Sequence, residues 1–224
     1  MPLPPAQSRE ILHTRRYDFQ AFGRDDGLWD LEGRMTDTKP YSFPNLERDG
    51  GVVAAGEAIH DMSIRLTLDD SLTVVAVEAV TDSGPYRICP AITPNFQRLV
   101  GVKVGPGWRR SIASRVGGVE GCTHLVELLY AMATPAYQAI VPALSRRRRQ
   151  RQEAGGTGSA ADAAKPAATW PPLMDSCHAY RHDGEIALRN WPDAAAEAAR
   201  RKAEREAAQA RQVETHSVET QEEG

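Results

Sequence analysis

The run GEAIHDMSIRLTL puts Ala58, His60, Met62, Ile64, Leu66 and Leu68 on one side of a two-residue period, with Glu57, Asp61, Ser63, Arg65 and Thr67 mostly on the other. Successive side chains point to opposite faces of an extended strand, so this period predicts a β-strand with one buried face. Asp69, Asp70 and Ser71 supply turn residues, and LTVVAVEAV returns with the β-branched side chains that suit a pairing strand. A hairpin with one apolar face has to be covered by another layer, which restricts the chain to layered folds. His60 falls on the covered face and Asp61 on the opposite one.

A second hairpin precedes it. Tyr17, Phe19 and Ala21 alternate with Arg16, Asp18 and Gln20, a polar turn runs from Gly23 to Gly27, and Trp29, Leu31, Gly33 and Met35 alternate with Asp30, Glu32 and Arg34. Residues 39–51, with Pro40, Pro44, Asn45, Asp49 and paired glycines, have loop composition.

Helical signals follow. Thr93 before Pro94 reads as an N-cap with proline at the first helical position, and Gly101 as a stop. In PGWRRSIASRVGG, Trp108, Ile112 and Val116 recur at i, i+4 and i+8. A third helix is predicted to start near Cys122 or Thr123, with Leu125, Leu128, Leu129 and Met132 on one stripe and Pro135 kinking or dividing it before Leu144. Strands first and helices afterwards predict an α+β fold: an antiparallel sheet of two hairpins with a layer of about three helices on one face.

The composition breaks after Ser145, which sets the expected domains. Residues 1–145 form the core, and 146–172, arginine-rich and then Ala/Gly/Pro-rich, a linker. Short apolar-polar runs around His182-Asp183-Gly184-Glu185 predict a β-hairpin extension over 173–192 that docks on the core. The Ala/Glu/Arg-rich tail, 193–224, is expected to be helical or disordered, held by pairs such as Glu197 with Arg201 and with little to bury.

A net charge of -3, from 27 Lys+Arg against 30 Asp+Glu, gives no global basic field for nucleic acid. The arginines at 146–149 and 151 lack interleaved aromatics that would stack bases, so no nucleic-acid partner is expected. No apolar run reaches membrane-spanning length and the N-terminus lacks a signal-type apolar segment, so a cytoplasmic protein without a membrane partner is expected. The three cysteines, Cys89, Cys122 and Cys177, are an odd number in that setting and do not suggest a disulfide framework. A protein partner stays open, as does the oligomeric state.

Four side chains are candidates for chemistry: His60 on the core face, Cys89 before a helix, and Cys122 and His124 at the start of another. Helix starts carry a positive dipole end that favours thiolates, and a Cys2His2 set suits zinc, while sulfur-rich sites also hold iron-sulfur clusters. The plain alternatives are buried small cysteines, a satisfied core histidine, a capping or packing role for His124, and a tight turn at Gly117, Gly118 and Gly121. Cys177 and His178, adjacent in an expected strand, point to opposite faces and do not share a metal.

The segments HTRRYDFQAFGRDDGLWDLEGRMTDTKPY, IHDMSIRLTLDD, YRICPA, PGWRRSI, GCTHLVELL and DSCHAY resemble an uncharacterised bacterial family, DUF2889, over most of residues 10 to 192. More remotely, residues 58 to 140 resemble the order of iron-sulfur cluster scaffold proteins of the IscU/NifU/SufU type: a hairpin, a cysteine leading a helix, a further helix, then a cysteine opening a long helix. That resemblance implies a SufE/NifU (IscU)-like core. His60 takes the place of the scaffold aspartate, and Cys89 and Cys122 those of the second and third ligands, while the first scaffold cysteine falls at Ala58 and the histidine before the last at Gly121. The three-cysteine site is not reproduced, and His60 and His124 would compensate.

The expected function is a metal-binding or iron-sulfur-scaffold-like accessory protein. Its ligands would be His60, Cys89, Cys122 and His124 for zinc or a cluster, with Asp61 as an outer or surface group. The alternatives are an enzyme with Cys122 as nucleophile and His60 or His124 as base, and an interaction module with inert buried cysteines.

Overall fold

The computed structural model describes residues 3–153 and 174–222, with side chains except at 152, 210 and 212–222. The chain divides into two compact units, Met1–Arg151 and Gln152–Gly224.

The first unit is α+β. Strands β1 (Thr14–Gly23), β2 (Trp29–Thr38), β5 (Ala58–Leu68) and β6 (Val74–Ser83) form one antiparallel sheet in the order β1-β2-β5-β6. Between its hairpins, β3 (Phe43–Pro44), inside the stretch with loop composition, and β4 (Val52–Val53), just after it, make a small two-stranded ladder. The predicted alternation holds: Trp29, Leu31, Met35, Met62, Ile64, Leu66 and Leu68 are buried, whereas Arg65 is exposed and pairs on the outer face with Glu32 and Glu78.

The register lines the inner face with rows of opposed residues. Gly23, Trp29 and Leu68 make one row, Ala21, Leu31 and Leu66 the next, then Phe19, Gly33 and Ile64, then Tyr17, Met35 and Met62. The last row is Arg15, Asp37 and His60, so a charged row ends an apolar face.

Helices α1 (Trp108–Val116) and α2 (Thr123–Glu153) cover that face. Trp108, Ile112 and Val116 of α1, and Leu125, Leu128, Leu129, Met132, Ala136 and Ile140 of α2, complete the core, and the Trp108 indole N–H donates to the Leu129 carbonyl at 2.9 Å. Burying the α2 stripe offsets the propensity loss at its internal prolines, so α2 runs as one helix through Pro135 and Pro142 instead of dividing at Pro135. It also runs past the boundary expected at 145, because Arg, Gln and Glu are good helix formers, and the linker is helical as far as 153. The remainder of the expected linker, 154–172, lies outside the described residues. The helix expected from Thr93 is a 3-10 stretch, Cys89–Leu99, which begins earlier because Pro90, not Pro94, occupies its first turn.

In the second unit the segment expected as a β-hairpin is helical. A 3-10 turn at His178–Tyr180 is followed by α3 (Glu185–Asn190), with Gly184 as its N-cap and Glu185 bonded to Arg189 one turn on. An acidic first turn and an i,i+4 pair favour the helix over the short alternation. The tail forms α4 (Pro192–Glu222), where Arg201 donates to Glu197 at 2.7 Å as expected. Ala194, Ala195 and Ala198 are buried with Met174 and Ala187, against Trp191, so the tail has more to bury than its composition suggested.

Gly33 sets how closely α2 approaches the sheet. A Cβ there would stand 3.2 Å from Phe19 and 3.3 Å from Leu128. Gly33→Val is expected to lower stability by about 1–3 kcal/mol by overpacking this contact. Urea unfolding measures it, and an unchanged or raised midpoint contradicts the packing described.

Candidate metal centre

Asp37 continues the inward parity of Trp29, Leu31, Gly33 and Met35, which puts a carboxylate where a core side chain would stand. It is 1% exposed, and an unpaired buried charge is costly, so its partners decide whether the strand can form. Arg15, directly opposite on β1, donates Nε to Oδ1 at 2.8 Å and Nη2 to Oδ2 at 2.7 Å, a two-pronged bond. His60, opposite on β5, holds Nδ1 2.9 Å from Oδ2, and His13 places Nε2 3.0 Å from Oδ1. Burial alone raises the Asp37 pKa, but the hydrogen bonds and charge of Arg15, with His60 and His13, bring it below the ordinary value. The carboxylate is therefore ionised and His60 Nδ1 carries the proton in their bond, which leaves Nε2 as the free lone pair of that ring.

The start of α2 meets this row. Gly121 precedes it, and a Cβ at that position would overlap the Val116 carbonyl oxygen, so only glycine lets the chain turn back from α1 so tightly. Cys122 then caps the helix, its carbonyl accepting from the Val126 N–H at 2.9 Å. One turn along, Glu127 Oε2 accepts from Arg15 Nη1 at 2.7 Å and from the Tyr17 hydroxyl at 3.3 Å, tying the helix to β1.

These constraints bring the His124 ring against the His60 ring, with centroids 3.8 Å apart and the planes tilted by 37°. One potential ligand atom each from Asp37, His60 and His124 lie within 4.8 Å of one another. Burial lowers the pKa of His60, with the Asp37 bond pulling the other way and losing. Burial also lowers that of His124, reinforced by the nearby charge of His60 and Arg15. Both rings are therefore neutral near pH 7, the form that binds metals and accepts protons.

Of the four side chains expected as ligands, the fold brings His60 and His124 into ring contact and sets Cys122 beside His124, but among the described residues no group of three ligand atoms within 4.8 Å includes Cys122. The Cys122 thiol lies 3.9 Å from His124 Nδ1 and donates to Met62 Sδ at 3.8 Å. Cys89 packs against Gly84 beyond the end of β6, and among the described residues it joins no group of three ligand atoms this close. Asp61 faces away from the centre and pairs with Arg34 at 2.6 Å on the outer face, which makes it the surface group of the two roles foreseen for it. Cys177 is exposed in the second unit.

Asp37, Arg15 and Met62 were missed as site residues. For Asp37 and Arg15 a signal existed, since Asp37 follows Met35 and Arg15 precedes Tyr17 at the inward parity of their strands. A charge at an apolar register position is the mark of a buried pair or a site.

Asp37→Ala is expected to lower stability by about 1–3 kcal/mol, since it leaves Arg15 and His60 without their shared acceptor. Asp37→Asn is expected to fall between, as it keeps the shape and loses the charge. Chemical denaturation of the two variants checks this, and an alanine variant as stable as the parent contradicts it.

No described helix is long and apolar enough to cross a membrane. No curated protein and no solved structure matches the chain, so the likeness of its core to cluster scaffolds stands on sequence pattern alone. The family model described as "Protein of unknown function (DUF2889)" matches residues 13–138, strand β1 through the middle of α2, and so takes in the whole Asp37–His60–His124 cluster. On that match, which spans more than half of its length, the chain belongs to the DUF2889 family.

Proposed function

We propose that this chain is a metal-binding accessory protein that holds one transition-metal ion between β5 and the start of α2. The observation that carries the reading is the convergence of His60 and His124 in front of a buried carboxylate. Asp37 already accepts from Arg15 and His60 and has His13 against it, so it acts from behind His60, fixing the tautomer that leaves Nε2 for the ion. Nε2 of His60 and a nitrogen of His124 supply two ligands, and the Cys122 thiolate, whose sulfur lies 3.9 Å from His124 Nδ1, would have to swing onto the ion to supply a third, a set suited to zinc. A cluster is the weaker candidate, because Cys89 packs against Gly84 beyond the end of β6 and a cluster site made of one cysteine would depart from the usual thiolate cage.

The second reading is a cysteine-dependent enzyme, favoured by the 3.9 Å separation of Cys122 Sγ and His124 Nδ1 at a helix start. A thiol there is placed for proton loss to His124, with the His60-Asp37 pair behind it.

One titration separates the two. Metal-free protein is expected to bind one Zn(II) per chain, and His60→Ala or His124→Ala to weaken that binding at least about a hundredfold, with Asp37→Asn losing about 10- to 100-fold. Calorimetry provides the affinities. Absence of binding, or variants that bind like the parent, contradicts the metal reading. Rapid stoichiometric alkylation of Cys122 that Zn(II) does not slow would favour the enzyme.

A further inference from the structure

The two edges of the four-stranded sheet differ. Beyond β6 the chain occupies its own edge: Val74 donates to the Val102 carbonyl at 2.9 Å and accepts from the Gly101 N–H at 2.8 Å, Thr73 bridges to Lys103, and the Gln97 amide donates to the Val77 carbonyl. Beyond β1 no strand lies alongside among the described residues. Exposed edges usually carry a proline, a lysine, a bulge or a short strand that stops another chain from pairing. Strand β1, TRRYDFQAFG, has ten residues, neither proline nor lysine, and a register with β2 that never shifts.

The register also shows which backbone groups that edge offers. The Arg24 N–H donates to the Leu28 carbonyl opposite it at 2.9 Å, so this is a hydrogen-bonded pair. Alternation back along β1 then puts Phe22, Gln20, Asp18 and Arg16 in bonded pairs with β2. The N–H and C=O groups of Arg15, Tyr17, Phe19 and Ala21 therefore point away from the sheet, and among the described residues they have no backbone partner.

We infer that β1 pairs antiparallel with β1 of a second copy of this chain, across a two-fold axis at Tyr17, joining two four-stranded sheets into one. Charge selects both the occupant and the register. With Tyr17 facing Tyr17, Arg16 stands opposite Asp18 of the second copy and Asp18 opposite its Arg16, two opposite-charge pairs on the outer face. Both side chains are exposed, and among the described residues neither makes an ion pair within its own chain. An axis at Arg15, Arg16 or Asp18 would set like charges face to face, and within β1 an axis at Phe19 or beyond gives neither charge an opposite partner. A strand of an unrelated protein has no reason to carry the matching order of charges, whereas a second copy carries it by symmetry. The Tyr17 ring, 42% exposed and parallel to the Phe19 ring with centroids 6.3 Å apart, adds an apolar ledge that meets its counterpart across the axis. Arg15, which holds Asp37, falls opposite Phe19 of the second copy, so the pairing also braces the β1 end of the charged row.

Sedimentation of the full chain over a concentration series tests this, and the mass should rise toward twice the 24.5 kDa of one chain. Arg16→Asp and Asp18→Arg, each of which sets like charges face to face, should each weaken the dimer at least about tenfold. Combined, they re-form both pairs with the signs exchanged and should return the affinity to within about threefold of the parent. Both positions are exposed on the outer face, so circular dichroism of the variants should match the parent. Hydrogen exchange of the parent adds a readout that needs no variant: the amides of Arg15, Tyr17 and Phe19 should slow at least about tenfold as the dimer fills, while those of β6 do not. A dimer indifferent to the single charge reversals, one that the combination fails to restore, or one without that protection on β1 overturns the pairing. A parent that stays monomeric to about 1 mM overturns it too, and leaves the edge to an extended segment of another protein.

Discussion

The Asp37 carboxylate occupies a position at which the pattern of β2 calls for an apolar side chain, and its ion pair with Arg15 is the contact on which the end of the sheet depends. Removing a carboxylate from water costs several kcal/mol unless its oxygens are filled. Here the filling comes from neighbours in the same cross-strand row, Arg15 on β1 and His60 on β5, with His13 just ahead of β1. The row therefore ties three strands in one register, because a slip by one residue would turn Asp37 outward and leave Arg15 and His60 facing apolar side chains. Arg15 extends the tie to Glu127 and so fixes where α2 begins.

The same interaction shapes the chemistry of the centre. A carboxylate that already accepts several donors has little capacity left for a cation, so on the proposed metal-binding reading its effect would reach the ion through His60. Holding the proton on Nδ1 sets the ring orientation and presents Nε2, the arrangement in which a carboxylate, a histidine and a metal stand in line. Placement of Cys122 in turn depends on Gly121, where the chain has no room for a side chain.

Much of this was legible in the sequence, for identifiable reasons. Period-two alternation gave both hairpins and the inward direction of His60, because register on a half-buried sheet is set by that alternation. The stripe of Leu125, Leu128, Leu129 and Met132 gave α2. Asp37 escaped because the alternation was followed only while it stayed apolar, although a charged residue at the next inward position was itself the signal. The hairpin expected around 182–185 failed because two short alternating runs cannot outweigh an acidic helix start at Glu185 with Arg189 one turn on. Cys89 looked equivalent to Cys122 as a cysteine leading a helix, yet distance between elements is not encoded in local pattern, and the fold sets it against Gly84 instead.

The tautomer of His60 tests the central claim most directly. Nitrogen-15 NMR of the imidazole rings in the metal-free protein near pH 7 is predicted to show His60 neutral, protonated at Nδ1 and unprotonated at Nε2, with the Nε2 resonance shifting when metal is added. A His60 ring protonated at Nε2, or an Nε2 resonance that stays in place under saturating metal, would contradict the account.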